Sequence, residues 1–68
     1  MLELTVNGVV TRVGVDESTL AALVTTLGLA GKRIAIEKNG EIVPRSRYST
    51  TTVAQGDRVE IVGAVGGG

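Results

Sequence analysis

The sequence contains neither cysteine nor histidine. Without thiols there is no disulfide framework, no thiolate nucleophile and no soft metal ligand. Without imidazole the commonest general base near neutral pH is missing as well. A self-sufficient enzyme is therefore the least expected reading. Aromatic residues are reduced to Tyr48, which removes the stacking platforms that nucleic-acid bases use. Neither sign of charge is in excess, because seven basic and seven acidic side chains cancel. That balance argues against a partner held by bulk electrostatics, whether nucleic acid or acidic membrane. No apolar run approaches the roughly 20 residues of a membrane span, and no charged-then-apolar leader precedes Leu2. The expected compartment is the cytoplasm.

What is present is a chain of 68 residues, 43% of them hydrophobic. This length makes one domain, which buries only about 60% of the surface of its unfolded chain. A deep catalytic cleft is not expected, and the core has to be packed from Val, Leu, Ile and Ala. The basic residues are unevenly spread, since only Arg12 precedes Lys32 and the others lie between Lys32 and Arg58. Interleaved with Glu37, Glu41, Asp57 and Glu60, they read as a solvated surface of mixed charge. Arg45 and Arg47 belong to that surface.

Leu2, Leu4 and Val6 alternate with polar residues in the period of a half-buried strand. Asn7-Gly8 is a strong hairpin signal, because a type I′ turn needs positive φ at both central residues. A second strand is expected from about Val9 to Val15, with Val9, Val13 and Val15 on one face. Asp16, Glu17 and Ser18 then offer capping oxygens and negative charge at a helix start. Leu20, Leu23, Val24 and Leu27 form an apolar helical stripe, and Gly28 sits where a left-handed cap ends it.

Beyond a connection, Ile34, Ala35 and Ile36 predict a short strand, Lys38-Asn39-Gly40 a turn, and Ile42 and Val43 a return strand ended by Pro44. Residues 45–52 read as irregular, with Tyr48 laying its ring on the core and its hydroxyl in water. Gln55-Gly56-Asp57 turns into a last strand that alternates over residues 57–62. The right-handed crossover rule puts this strand beside the first, inside the sheet. The result is an α+β fold of β-grasp type, as in ubiquitin, with a mixed sheet of four to five strands on one main helix.

On this reading residues 1–62 are the domain and residues 63–68 a flexible tail. Four of those six tail residues are glycine, and fully extended they reach at most about 20 Å beyond the body. A terminal glycine has no Cβ beside its carboxylate, so its acyl carbon fits a narrow enzyme channel. If Val59 and Ile61 face the core, Val62 faces out and wants a cover. Val62 and Val65 are expected to touch a partner groove, with Gly66 and Gly67 extended between that groove and Gly68. Such a segment binds through main-chain hydrogen bonds, and its ordering entropy opposes affinity.

The stretch Ile34-Ala35-Ile36-Glu37, Asn39, Ile42-Val43-Pro44-Arg45-Ser46 and Tyr48 resembles the central signature of the thiamine-biosynthesis sulfur carrier (ThiS) family. Gln55-Gly56-Asp57-Arg58-Val59-Glu60-Ile61-Val62 with Ala64-Val65-Gly66-Gly67-Gly68 resembles that family's last strand and tail. The similarity covers the whole chain. There are two departures: three terminal glycines where two suffice, and Lys38 where many members carry a small or uncharged residue.

The resemblance implies that Gly68 is adenylated and then thiocarboxylated, with Gly67 as its diglycine partner, and that the sulfur goes to the thiazole ring of thiamine. It implies a ubiquitin-activating-like adenylyltransferase, a thiazole synthase, and a sulfurtransferase or cysteine desulfurase as partners. ATP is used by the partner enzyme, and this chain binds no cofactor. It is a consumed and recharged co-substrate. The competing expectations are a carrier for another pathway, such as a molybdopterin synthase small subunit or a protein modifier, and a β-grasp interaction module with an inert tail.

Overall fold

In the computed structural model, which describes residues 1–63, strands β1 (Leu2–Val6) and β2 (Val9–Val13) form an antiparallel hairpin. Its turn has φ of 51° at Asn7 and 80° at Gly8, both in the left-handed region that the Asn-Gly pair supplies at little cost. The strand ends at Val13, two residues earlier than the alternation suggests. Val13 pairs with Leu2, so only Met1 remains in the neighbouring strand beyond that pair. Val15 therefore leaves the sheet and begins a 3₁₀ turn over Val15–Glu17, where its side chain is 63% exposed.

Helix α1 (Leu20–Thr26) follows. Its N-cap is Thr19, and not the acidic run before it: Thr19 is extended, and its Oγ1 accepts the Ala22 N–H at 3.1 Å. Asp16 and Glu17 are used up in the 3₁₀ turn. Thr19 is also fixed from the other side by an isolated bridge to Thr52. Leu20, Leu23 and Val24 are buried, as the stripe predicts, whereas Leu27 caps the helix and is 38% exposed. Gly28 takes φ of 75° and closes the helix.

Strands β3 (Ile34–Lys38) and β4 (Glu41–Val43) make a second hairpin through Asn39-Gly40, again with positive φ at both residues. Pro44 ends β4 and opens a 3₁₀ turn over Arg45–Arg47. The irregular segment after it is pinned to the start of α1 by main-chain bonds. Leu20 N donates to Thr51 O, Ala21 N to Tyr48 O and Val53 N to Ser18 O. Tyr48 and Val53 are buried in the core as a result.

The last strand, β5 (Arg58–Gly63), lies in the middle of the sheet, whose order is β2-β1-β5-β3-β4. It runs parallel to β1 and antiparallel to β3. One face of this mixed sheet packs on α1 around Leu4, Val6, Leu23, Ile36, Val59 and Ile61, which completes the β-grasp arrangement. Lys38, unusual beside the family pattern, has local work: its Nζ donates to Thr52 O at 2.8 Å and lies 3.9 Å from Asp57 Oδ2. No helix among the described residues is long and apolar enough to cross a membrane.

Candidate functional site

The exit of β5 is built by strict alternation. Val59 and Ile61 are buried against the helix side, while Arg58, Glu60 and Val62 point to the open face of the sheet. Val62 is 60% exposed there and sits opposite Ala35 of β3. Gly63, assigned from sequence to the tail, still belongs to β5 and pairs with Ile34. Val65, Gly66, Gly67 and Gly68 lie outside the described residues.

The same register brings together residues that the sequence did not single out. Glu37 of β3 faces Glu60 of β5 on one side and Ile42 of β4 on the other, so all three share the open face. Ile42 is 76% exposed, more than Val62. Apolar Val62 and Ala35 thus stand side by side at the exit, and the next row on the same face is Glu60, Glu37 and apolar Ile42. The signal for Ile42 was available as parity: Val43 pairs with Ile36 and faces the core, so its neighbour must face out. An exposed apolar strip on an acidic background suits a shallow protein surface better than a small-molecule pocket.

On the helix side of the exit lies an open groove of about 440 Å³. Leu27, Leu29 and Ile61 make its apolar floor, Lys32 and Arg33 its cationic rim, and Gly63 one wall. Arg45, read from sequence as solvated, is exposed and also donates from a guanidinium nitrogen to Lys32 O at 2.8 Å, which ties the 3₁₀ turn to the connection before β3.

The β1 flank of the exit is closed by a side chain. Ile61 N donates to Asn7 Oδ1 at 2.7 Å, and Asn7 Nδ2 donates to Ile61 O at 3.0 Å. The sequence marks Asn7 as a turn residue but carries no signal for this second contact, because 54 residues separate the partners.

Comparison with known proteins agrees with this geometry. Residues 4–68 match the ThiS family. The sulfur carrier protein ThiS of Bacillus subtilis is 36% identical over 53 residues, which cover 78% of this chain and 80% of that protein. A thiazole synthase of Paramagnetospirillum magneticum is 46% identical over 50 residues, and one of Magnetococcus marinus 35% over 51. Those matches take in 74% and 75% of this chain but 15% and 16% of the thiazole synthases, so the chain spans about a sixth of their length. The crystal structure of a thiamine biosynthesis protein (ThiS) from Geobacter metallireducens superposes with a TM-score of 0.82 at 38% identity, covering 98% of this chain and 100% of that one. With the family's sequence running from Leu4 through the glycine end and a solved member's fold reproduced over its full length, the chain belongs to the ThiS family of sulfur carriers.

Proposed function

We propose that this chain carries sulfur as a thiocarboxylate on Gly68 and delivers it to the enzyme that forms the thiazole ring of thiamine. The observation that carries the reading is the placement of β5. A strand held on both sides in the middle of the sheet leads straight to the glycine segment, so a partner that grips the domain also fixes where that segment starts. Val62, Ala35 and Ile42 beside the exit are the surface such a partner would cover.

The reaction requires a free carboxylate on Gly68. A carboxylate is a poor acyl donor, so an adenylyltransferase of the ubiquitin-activating type spends ATP to form the acyl-adenylate and pyrophosphate. Hydrosulfide then displaces AMP to give the thiocarboxylate. A persulfide from a sulfurtransferase or cysteine desulfurase gives an acyl disulfide instead, and a two-electron reduction releases the thiocarboxylate. This chain supplies the acyl group and no thiol or imidazole. It is a co-substrate that returns to the carboxylate once its sulfur has been taken up.

A thiazole synthase as acceptor is supported by the two relatives in which a segment similar to this chain forms part of a longer protein of that name. Joining carrier and acceptor in one polypeptide raises their effective concentration, as expected for groups that meet in one reaction. The proposed compartment is the cytoplasm.

The test is intact mass before and after mild alkylation, following incubation with ATP, a cognate adenylating enzyme and a sulfur source. Alkylation is needed because oxidation of Met1 mimics an oxygen-for-sulfur exchange in mass, and the chain has no cysteine to react. One rapidly alkylated group mapped to the last peptide supports the reading. An unchanged mass, with an enzyme that charges another carrier in parallel, overturns it.

A further inference from the structure

We infer that Asn7 is a positioning residue for sulfur transfer, because its side-chain amide continues the sheet where β1 has ended and fixes the last residues of β5. This rests on the carrier reading above. Strand β1 pairs with β5 at Thr5 and Val6, opposite Arg58 and Val59, and its final main-chain contact is Asn7 N donating to Val59 O at 2.9 Å. The hairpin then turns away at Gly8, leaving no main chain of β1 to meet Ile61. The carboxamide of Asn7 takes that place, offering Ile61 one acceptor and one donor, as a peptide group does.

On the opposite flank β3 accompanies β5 as far as the pair between Ile34 and Gly63. Without the Asn7 amide, residues 61–63 would be held from the β3 side alone. Gly63 is where the segment bearing Gly68 starts. The clamp lies two residues upstream, so it fixes where that segment leaves the sheet.

The molecule contains its own control. Asn39, at the equivalent place in the second hairpin, has φ of 53° and also binds β5 through its side chain. Its Oδ1 accepts the Arg58 N–H at 2.9 Å, and its Nδ2 donates to Asp57 Oδ1 at 3.0 Å. Two Asn-Gly turns therefore grip the central strand, one at each end, because β1 runs parallel to it and β3 antiparallel. Only the Asn7 grip lies at the end from which the tail leaves.

The experiment compares Asn7→Gly with Asn39→Gly in the full chain. Glycine keeps the positive φ that each hairpin needs and deletes only the amide. Adenylation by a cognate enzyme is followed against carrier concentration, together with amide exchange at residues 61–63 and the thermal midpoint. Asn7→Gly is expected to speed exchange at residues 61–63 and to lower kcat/KM about tenfold, mainly through KM, as when roughly one more residue must be ordered on binding. Asn39→Gly is expected to lower the thermal midpoint comparably and leave kcat/KM within about twofold. If both variants lose kcat/KM in step with their midpoints, or if Asn7→Gly leaves kcat/KM unchanged, Asn7 is only a structural residue. If the wild-type chain is not adenylated by an enzyme that charges another carrier, the carrier reading fails and this inference goes with it.

Discussion

Asn39 and Asp57 join two turns: the Asn39 amide donates to Asp57 Oδ1 at 3.0 Å, while Asp57 Oδ2 accepts the Ala54 N–H at 2.8 Å. Lys38 Nζ, 3.9 Å away, adds a favourable charge to the same carboxylate. Asp57 is thus the polar knot from which β5 starts, and its side chain is only 14% exposed. Asp57→Ala should cost about 2 kcal/mol, the range for charge-assisted bonds whose partners are left behind. Glu60→Ala on the open face should shift the denaturation midpoint little. Equal midpoints for the two variants would show that the knot contributes nothing.

The helix start makes a prediction of the same kind. Thr19→Ala removes the Oγ1 that receives the Ala22 N–H and should destabilise by about 1 kcal/mol. Asp16→Ala and Glu17→Ala should have much smaller effects, since neither residue lies in the first turn of α1. Urea denaturation of the three variants decides between the two caps.

Core truncations should separate the apolar stripe of α1 into two classes. Leu23 is fully buried, and Leu23→Ala should cost about 2–5 kcal/mol through lost transfer energy plus the cavity left behind. Leu27→Ala should cost clearly less, because that side chain is already partly in water. A similar loss at both positions would mean that Leu27 is covered in solution.

The open face is expected to matter for transfer and hardly at all for folding. Val62→Glu places a charge where the isolated domain exposes an apolar side chain and should leave the thermal midpoint nearly unchanged, whereas Ile42→Glu, opposite Glu37, should lower it slightly. Both should lower kcat/KM for adenylation or for sulfur delivery by tenfold or more, by adding charge to a strip that already carries Glu37 and Glu60. Wild-type kinetics at both positions in both reactions would remove this strip from the partner interface.

Deletion of Gly67 and Gly68 should preserve the unfolding transition and abolish the alkylatable group after incubation with ATP and the sulfur source. A truncated chain that still acquires the group would place the modified atom elsewhere.

Much of the fold was legible because its strongest signals are local. Asn7-Gly8 and Asn39-Gly40 dictate left-handed turns from two residues each, and the alternation on either side does not depend on which strand pairs with which. Leu20, Leu23 and Val24 mark the buried helix face by spacing alone. The apolar exposure of Val62 followed from the parity of β5. The glycines at the end of the chain and the family resemblance they help to carry were likewise legible in the sequence, and the family match agrees with that resemblance.

The remaining features depended on neighbours that spacing does not name. Val15 could not stay in a strand, because β1 has only Met1 beyond Leu2, the partner of Val13. Thr19, and not the acidic run, became the cap because it is extended and held by its bridge to Thr52. Ile42 joined Val62 and Ala35 on one face only through the order β5-β3-β4. By itself the sequence determined the turns, the inward and outward faces and the glycine end, since these follow from backbone preferences within a few residues. Only the tertiary structure decided that the amide of Asn7 would meet Ile61, because that contact exists solely where two strands far apart in the chain run side by side.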